Sequence, residues 1–185
     1  MQKTIRSALA NLYSNHTFMS AQSTQAFMGE DVEILDYHDS WFKVRQWDCY
    51  ESWIHEFNLM DKVENTFKDK FFFNDHSNKL ICGNETDIHL PFGSELPIIE
   101  MGDNSIDLCL PWGEKATYLM PFEENFINKV DRLISNARKF IGVHYHWGGI
   151  STFGCDCSGF VQTVFKSIDI HLPRDSHLQF DDSQK

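Results

Sequence analysis

The sequence has no apolar run long enough to cross a membrane, which takes about 18 consecutive apolar residues. Its first residues, MQKTIRSALANLYSNHTF, lack the continuous apolar core of about 7 to 15 residues that a secretory signal contains. We therefore predict a soluble, cytoplasmic protein that does not bind a membrane. A mature exported protein that had lost its leader would have the same pattern.

The sequence also lacks a block of lysine or arginine. With 27 acidic and 16 basic residues it carries a formal net charge of −11. Proteins that bind nucleic acid or anionic membranes need clustered positive charge. The composition therefore argues against such partners and favours a cationic or neutral one.

A disulfide framework is missing as well. The five cysteines, an odd number without regular spacing, are Cys49, Cys82, Cys109, Cys155 and Cys157. This pattern favours reduced thiols. A content of 42% hydrophobic and 14% aromatic residues is enough for packed cores, in one ordinary domain or two to three small ones. We predict a monomer without a cofactor.

Residues 4–60 alternate short apolar runs with turn residues. Val32, Ile34, Trp41, Val44, Trp47, Trp53 and Ile54 are assigned to brief strands, and the segments DYHDS and WDCYES to turns. This pattern predicts a small antiparallel β-barrel. The order FMGEDVEILD, DSWFKVR and ESWI resembles bacterial SH3-like modules.

A polar connector, residues 61–69, precedes a second segment with the same pattern of short strands. In residues 70–121, the stretch LPFGSELPII takes the place of the turn and strand of the first unit. We predict a second, diverged SH3-like unit here. A β-hairpin extension of the first unit is the alternative.

Helical spacing begins near Phe122. Apolar residues recur on one stripe from Phe126 to Ile141, Glu123 and Glu124 lie near the expected helix start, and Gly142 supplies a stop. These features predict a helix of about four turns. After a glycine-rich loop, the spacing of Phe160, Val161, Val164, Phe165 and Ile168 predicts a second helix that opens at Cys157. We assign IDIHLPRDSHLQF to an exposed irregular segment, because Pro173 interrupts it.

Cys157 has two interpretations. At a helix N-terminus, unpaired N–H groups and the helix dipole favour the thiolate, as a nucleophile requires. Free cysteine is also among the residue types most often buried as filler. Periodicity alone does not separate these alternatives.

The motifs around Cys157 resemble the NlpC-type cysteine peptidases of bacterial cell-wall metabolism. These enzymes carry Tyr-x-Trp-Gly-Gly, Gly-x-Asp-Cys-Ser-Gly-Phe/Leu-Val and Leu-Pro-Arg-x-Ser. The matching residues are Tyr145, Trp147, Gly148, Gly149, Gly154, Asp156, Cys157, Ser158, Gly159, Phe160, Val161, Leu172, Pro173, Arg174 and Ser176. The resemblance covers about residues 122–180, and SH3-like units commonly accompany this family.

The resemblance implies a mixed fold: N-terminal SH3-like β-barrels, then, in residues 122–185, the first, helical part of a papain-like α+β domain. It also implies hydrolysis of amide bonds in peptidoglycan peptides, commonly the γ-D-glutamyl to diamino acid link. The expected partner is a peptidoglycan-derived peptide with a free L-Ala amine.

Roles follow by position from the same resemblance. Cys157 is the nucleophile, and Tyr145 is its neighbour and a candidate oxyanion donor. Asp156, Ser158 and Ser176 are implied to bind substrate. For Asp156, capping of the Cys157 helix is an additional interpretation.

Neighbouring motif residues receive structural roles. The Trp147 ring is expected to pack under the loop, and Gly148 and Gly149 to let the loop turn. Arg174 is interpreted as a surface or helix-bracing charge.

The family's catalytic histidine has no counterpart. In this family the thiol needs a base, and the histidine that supplies it lies about 50 residues after the cysteine, on a strand. This sequence ends 28 residues after Cys157, at Lys185. The sequence therefore predicts a truncated chain that hydrolyses poorly and exposes an apolar helix face. His144, His146 and His177 are not expected to replace the base.

Two other functions compete with a peptidase. HYH and CDC bring two imidazoles and two thiols within a short segment, but their spacing is too tight for a usual zinc site, so we predict no metal. The second competitor is an SH3-like module that binds muropeptide or cell wall without turnover. If the chain is an enzyme, we expect residues 4–58 to wall off one end of the cleft and select peptides with a free amine.

Overall fold

A computed structural model describes residues 1–83, 86–120 and 128–184. Along the chain, these residues form one antiparallel sheet, then a second antiparallel sheet, then a segment with three helices and a small hairpin. The protein is thus a mixed, sheet-rich molecule with few helices.

The first sheet has seven strands in the order β3-β2-β6-β5-β4-β1-β7. They are β1 (Gln2–Ile5), β2 (Leu9–Tyr13), β3 (Gln22–Phe27), β4 (Asp31–His38), β5 (Trp41–Arg45), β6 (Glu51–His55) and β7 (Leu59–Asp61). Alternate residues on β2 and β6, such as Leu12 and Ile54, are fully buried in one core. Strand β3 lies at the edge of this order, so one side of it is free to contact other parts of the chain.

The predicted strand residues of this sheet are found with one exception. Trp47 lies in the turn between β5 and β6 and is partly exposed. The turn is tight there, because Cys49 adopts a positive φ of 65°. The strand assignment of Trp47 is therefore wrong.

The second sheet has six strands in the order β10-β9-β13-β12-β11-β8. They are β8 (Lys70–Phe72), β9 (Ser77–Cys82), β10 (Asp87–Pro91), β11 (Glu95–Met101), β12 (Ser105–Cys109) and β13 (Lys115–Leu119). Strict alternation on β9 buries Asn78, Leu80 and Cys82 and exposes the residues between them. Residues 62–69 join the two sheets without a helix or strand. Whether either sheet is SH3-like stays a prediction.

Helix α1 (Lys129–Arg138) is shorter than predicted. Asn128 caps it by accepting a hydrogen bond from the Asp131 N–H at 3.0 Å. The chain leaves the helix at Lys139 and turns at Gly142, whose φ is +89°. The stretch 121–127, which includes the predicted start of the helix and its acidic residues, lies outside the described residues.

Helix α2 (Cys157–Lys166) begins at the predicted cysteine. Helix α3 (Ser176–Ser183) corrects the prediction of an irregular segment after residue 168. Pro173 does separate α2 from α3, but the chain becomes helical again three residues later.

The helices pack on the second sheet through a small aromatic core. Phe92 contacts Phe140 edge-to-face with ring centroids 5.2 Å apart, and Phe140 contacts Phe160 in the same way. Val164 is buried in the same cluster. Lys166, at the end of α2, lies 3.3 Å from Glu95 of the second sheet and 3.8 Å from Glu30 of the first. Helix α2 therefore contacts both sheets.

The predicted exposure of an apolar helix face is found on α1 only in part and is not found on α2, where Val164 is buried, as is Ile168 just after it. Val130 and Ile134 of α1 are exposed, and Ile141 after it is 80% exposed. Within the described ranges, the helices are too short or too polar to cross a membrane.

Candidate functional site

The Cys157 thiol is exposed at the first position of α2. Asp156 precedes it with extended backbone angles, and its carboxylate accepts a hydrogen bond from the Gly159 N–H at 2.8 Å. Asp156 is thus the N-cap of α2, the additional interpretation given to it from the sequence. An exposed thiol at a capped N-terminus faces the positive end of the helix dipole.

Glycines bring the preceding loop close to the start of the helix. The Gly149 carbonyl accepts a hydrogen bond from the Asp156 N–H at 3.1 Å and lies directly beside Gly159. A Cβ atom at Gly159 would collide with that carbonyl oxygen. The loop also forms a two-stranded hairpin of β14 (Ile150–Ser151) and β15 (Gly154–Cys155), which leads directly into Asp156.

Arg174 forms a buried, two-pronged ion pair with Asp156. The distances are 2.6 Å from Nη2 to Oδ2 and 3.0 Å from Nη1 to Oδ1, and Arg174 is only 2% exposed. Burial alone would raise the pKa of Asp156, but the Arg174 guanidinium and the N–H groups of Gly159 and Gly148 hold the pKa below its ordinary value. Arg174 is therefore a bracing charge and not a surface one.

Ser158 belongs to the same network. Its hydroxyl accepts a hydrogen bond from Arg174 Nη1 at 2.8 Å and donates to Asp156 Oδ1 at 3.3 Å. Both oxygens of the Asp156 carboxylate are thus occupied by partners within the protein. Amine binding by Asp156 or Ser158 stays a prediction.

The edge strand β3 of the first sheet holds the loop and Arg174. Thr24 Oγ1 accepts from Arg174 Nε at 3.0 Å, and Gln25 Oε1 accepts from the Ile150 N–H at 3.1 Å. Gln22 Nε2 donates to the Trp147 carbonyl at 3.1 Å. The sequence analysis missed these residues; the run of polar side chains in QSTQ was the available signal.

An apolar groove of about 380 Å³ lies beside the thiol. It is lined by Ala137, Phe140, Ile141, Val143, Tyr145, Cys155, Asp156, Cys157 and Phe160. Tyr145 is 65% exposed, so its hydroxyl is free to meet a ligand in the groove. Burial, followed by the adjacent Asp156 charge, raises the pKa of the Cys155 thiol. Cys157 and Tyr145 thus line the same groove, and their predicted catalytic roles stay predictions.

No histidine among residues 1–83, 86–120 and 128–184 lines this groove. His144 and His146 instead lie against Gly154, and His146 Nε2 is 3.2 Å from Gln22 Oε1. His177 is exposed on α3. The prediction that these imidazoles do not serve as the base is consistent with this arrangement and stays a prediction.

Helix α3 is fastened to the first turn of α2. Gln179 Nε2 donates to the Ser158 carbonyl at 3.0 Å and to the Pro173 carbonyl at 2.9 Å. Ser176 opens α3 and is exposed, so its predicted role in substrate binding stays open. Gln179 is a further site residue that sequence reasoning missed, because the segment was predicted to be irregular.

The Trp147 ring does not pack under the loop. It is 66% exposed, and only its backbone carbonyl is held, by Gln22. The structural role predicted for the ring is therefore wrong. Gly148 does serve the turn: its φ is +75°, and a Cβ atom there would press against Gln22.

Tyr50 is another residue that sequence reasoning missed. Burial raises the pKa of its hydroxyl, and the charge of Asp175 beside it acts in the same direction. Tyr50 lies in the loop before β6, so the first sheet contributes a half-buried phenol next to the segment that carries Arg174.

The structure brings no three His, Cys, Asp or Glu side chains together as metal ligands, in the part of the chain that it describes.

Comparison with known proteins gives a family match for the segment that carries Cys157. Residues 142–185 match the model of the NlpC/P60 family. The match includes the glycine loop, Cys157 and Arg174, and it leaves out both sheets.

Similarity to whole proteins extends over most of the chain. A γ-D-glutamyl-L-lysine dipeptidyl-peptidase of Bacillus cereus (strain ATCC 10987 / NRS 248) is 31% identical over 180 residues, covering 84% of this chain and 53% of that protein. The protein of the same name from Bacillus subtilis (strain 168) is 27% identical, with coverage of 83% and 55%. The chain thus spans about half the length of these relatives.

A shorter match points to the same segment. The probable endopeptidase p60 of Listeria innocua is 46% identical over 48 residues, which cover 26% of this chain and 10% of that protein.

Among solved structures, an NlpC/P60 family protein from Bacillus cereus ATCC 10987 superposes with a TM-score of 0.86 and 23% sequence identity. It covers 97% of this chain, and this chain covers 76% of it. The fold described above is thus shared with that solved structure, and residues 142–185, which present Cys157, match the NlpC/P60 family.

Proposed function

We propose that this protein is a cysteine peptidase that hydrolyses amide bonds of peptidoglycan peptides, with Cys157 as the nucleophile. The observation that carries the proposal is the exposed thiol at the first residue of α2, open to a groove that Tyr145 also lines. The names of the relatives support a cell-wall peptide as substrate. Because the chain spans about half of the first two, the activity is a proposal for this protein.

In the proposed reaction, the Cys157 sulfur attacks the scissile carbonyl and forms a tetrahedral oxyanion. The Gly159 N–H is already used by Asp156, so we assign the oxyanion to the Cys157 N–H and the Tyr145 hydroxyl. The C–N bond then breaks, the amine leaves with a proton, and water hydrolyses the thioester. Both proton transfers require a base near the thiol.

We propose that the 185-residue chain turns over slowly by itself, because no described histidine lines the groove. Free imidazole in solution offers a direct test, since it enters an open groove and accepts the thiol proton. Imidazole should accelerate hydrolysis by the wild-type chain in proportion to its concentration. Acceleration that persists in Cys157→Ala would contradict the proposal.

We propose the γ-D-glutamyl to diamino acid bond of a free muropeptide as the substrate bond. The first two relatives are named for a γ-D-glutamyl-L-lysine link. Strand β3 contacts the site loop through Gln22 and Gln25, and Arg174 through Thr24. These contacts support a role for the first sheet as a wall at one end of the cleft. Such a wall favours a short peptide with a free amine over one attached to sugar.

The test uses the tripeptide L-Ala-γ-D-Glu-L-Lys, with release of L-Lys measured by chromatography in the presence of imidazole. Cys157→Ala should abolish release, and the matched variant Cys49→Ala, at another exposed cysteine, should retain it. N-acetylation of the peptide should lower kcat/KM at least tenfold. Equal cleavage of the acetylated peptide would contradict the proposed selection of a free amine. Release of L-Lys by Cys157→Ala would contradict the proposed function as a whole.

The groove without a histidine favours one second candidate, binding without turnover. In that case the tripeptide binds wild type and Cys157→Ala equally, and imidazole produces no L-Lys. Calorimetric binding measured beside the hydrolysis assay separates the two functions.

A further inference from the structure

The carboxylate nearest to Cys157 in the chain belongs to Asp156, the residue directly before it. In general, a carboxylate beside a nucleophilic thiol disfavours the thiolate form, since like charges repel. Asp156 is nonetheless fixed in place, because it caps the Gly159 N–H and accepts from the Gly148 N–H at 2.9 Å. The site therefore needs a positive charge that offsets this carboxylate.

Arg174 meets this need in the structure. Its guanidinium is nearly fully buried and donates hydrogen bonds to both carboxylate oxygens of Asp156. It also donates from Nη1 to Ser158 and from Nε to Thr24 of the first sheet. The fork geometry fixes the plane of the carboxylate as well as its charge. A lysine would supply the charge without that fixed plane.

We propose that Arg174 is a positioning residue for the nucleophile: through Asp156 it cancels the negative charge beside the thiol and fixes the first turn of α2. This inference rests on the proposed thiolate chemistry of Cys157. Arg174 has no contact with the thiol in this assignment and acts only through the carboxylate.

Two further titratable groups, Tyr145 and Cys155, line the groove beside the thiol. His144 and His146 lie against Gly154 of the hairpin that leads into Asp156. The ion pair of Asp156 and Arg174 belongs to the hydrogen-bond network of the first turn of α2, so substituting either partner tests the charge beside the thiol.

The test measures alkylation of Cys157 by iodoacetamide at pH 7, which needs no peptide substrate. All variants carry Cys49→Ser and Cys155→Ser, because Cys49 is exposed, Cys155 is half-buried and the remaining two cysteines are buried. Arg174→Met should slow alkylation about 3- to 10-fold, since it leaves the carboxylate charge unopposed. Asp156→Asn should accelerate alkylation by a similar factor, because asparagine still caps the helix and the positive charge remains.

The double variant Asp156→Asn/Arg174→Met should return to within about twofold of the parent rate, because neither charge remains. If Asp156 and Arg174 only stabilise the fold, all three variants should slow alkylation. That result, or rates unchanged throughout, would overturn the proposal. If Arg174→Met does not fold, the acceleration expected for Asp156→Asn still decides between the two cases.

Arg45→Met is the matched control, because Arg45 is an exposed arginine paired with Glu33 and Glu51 on the first sheet, outside the site. Its alkylation rate should equal the parent rate. The outcome is also separable from that of the proposed function. If the alkylation rates follow the charge pattern but the tripeptide is not cleaved, Arg174 keeps its role and the peptidase assignment fails.

Discussion

Thr24 on the edge strand of the first sheet accepts a hydrogen bond from the buried guanidinium of Arg174, 150 residues further along the chain. The same guanidinium holds the Asp156 carboxylate, which caps α2. The first sheet is thereby connected to Cys157 through two side chains.

The first prediction concerns the hydrogen bond between Thr24 and Arg174. Thr24→Val keeps the shape of the side chain but leaves the Arg174 Nε–H buried without its acceptor. We expect the free energy of unfolding to fall by about 1 to 3 kcal/mol, as for other buried unsatisfied donors. Urea unfolding at pH 7 measures the change. Thr117→Val, which removes a threonine hydroxyl from the Asp107 carboxylate on the second sheet, is the control and should cost less, because that site is partly open to water. Equal losses of unfolding free energy in the two variants would contradict the larger contribution assigned to the buried Thr24–Arg174 hydrogen bond.

The second prediction concerns the close approach at Gly159. An alanine there places a Cβ against the Gly149 carbonyl, which the hairpin and the Asp156 N–H hold in position. We expect Gly159→Ala to lower the free energy of unfolding by about 1 to 3 kcal/mol or more, as overpacking does, and to reduce alkylation of Cys157. Gly83→Ala has open space around its Cβ and should leave both quantities unchanged. A fully stable Gly159→Ala protein would show that the contact relaxes.

The third prediction concerns Glu30, whose carboxylate oxygens are buried without a hydrogen-bond partner. Burial is the main cause that raises its pKa from 4.5 to about 7; the Lys166 ammonium opposes the rise, and Glu95 and Asp48 add to it. The folded protein therefore keeps a proton that the unfolded chain has lost between about pH 4.5 and 7. The free energy of unfolding should fall as pH rises through that window.

Glu30→Gln removes the titration. Relative to wild type, the variant should gain about 1 to 3 kcal/mol in free energy of unfolding between pH 5 and pH 8. Urea unfolding at the two pH values gives the difference. Glu100→Gln, at an exposed position of the second sheet, should show no such gain. Parallel pH profiles for wild type and Glu30→Gln would rule out this assignment.

The fourth prediction concerns acid. The pKa of Asp156 is held below its ordinary value, so its contribution to stability is present above about pH 4 and is lost as pH falls through the lowered pKa. Asp156→Asn should therefore be less stable than wild type at pH 7, and the difference should shrink toward pH 2. Thermal unfolding across this range measures it. A difference that stays constant with pH would mean that charge does not contribute.

Helix α2 was predictable because its evidence is local. Apolar spacing after Cys157 marks one face of a helix, and an aspartate before the first turn is a common cap. The buried role of Arg174 was not predictable in the same way. An arginine next to a proline in a polar segment is typical of a surface, and its partners Thr24 and Asp156 are brought to it only by the tertiary fold.

Other errors have the same cause. QSTQ in β3 has the polarity of an exposed edge, yet Thr24 and Gln25 are buried because the site loop covers them. The exposed ring of Trp147 is the converse case, a large aromatic side chain that contacts little. The relative position of distant segments, which decides both cases, leaves no periodic signal in the sequence.

Both ends of α2 are attached to the first sheet, the N-terminus through Arg174 and Thr24 and the C-terminus through Lys166 and Glu30. The position of α2 thus depends on contacts with Thr24 and Glu30, which lie outside residues 142–185. A fragment reduced to the family-matching segment would expose a buried guanidinium and a buried ammonium at once. The upstream sheets are therefore part of the scaffold that gives this segment its shape.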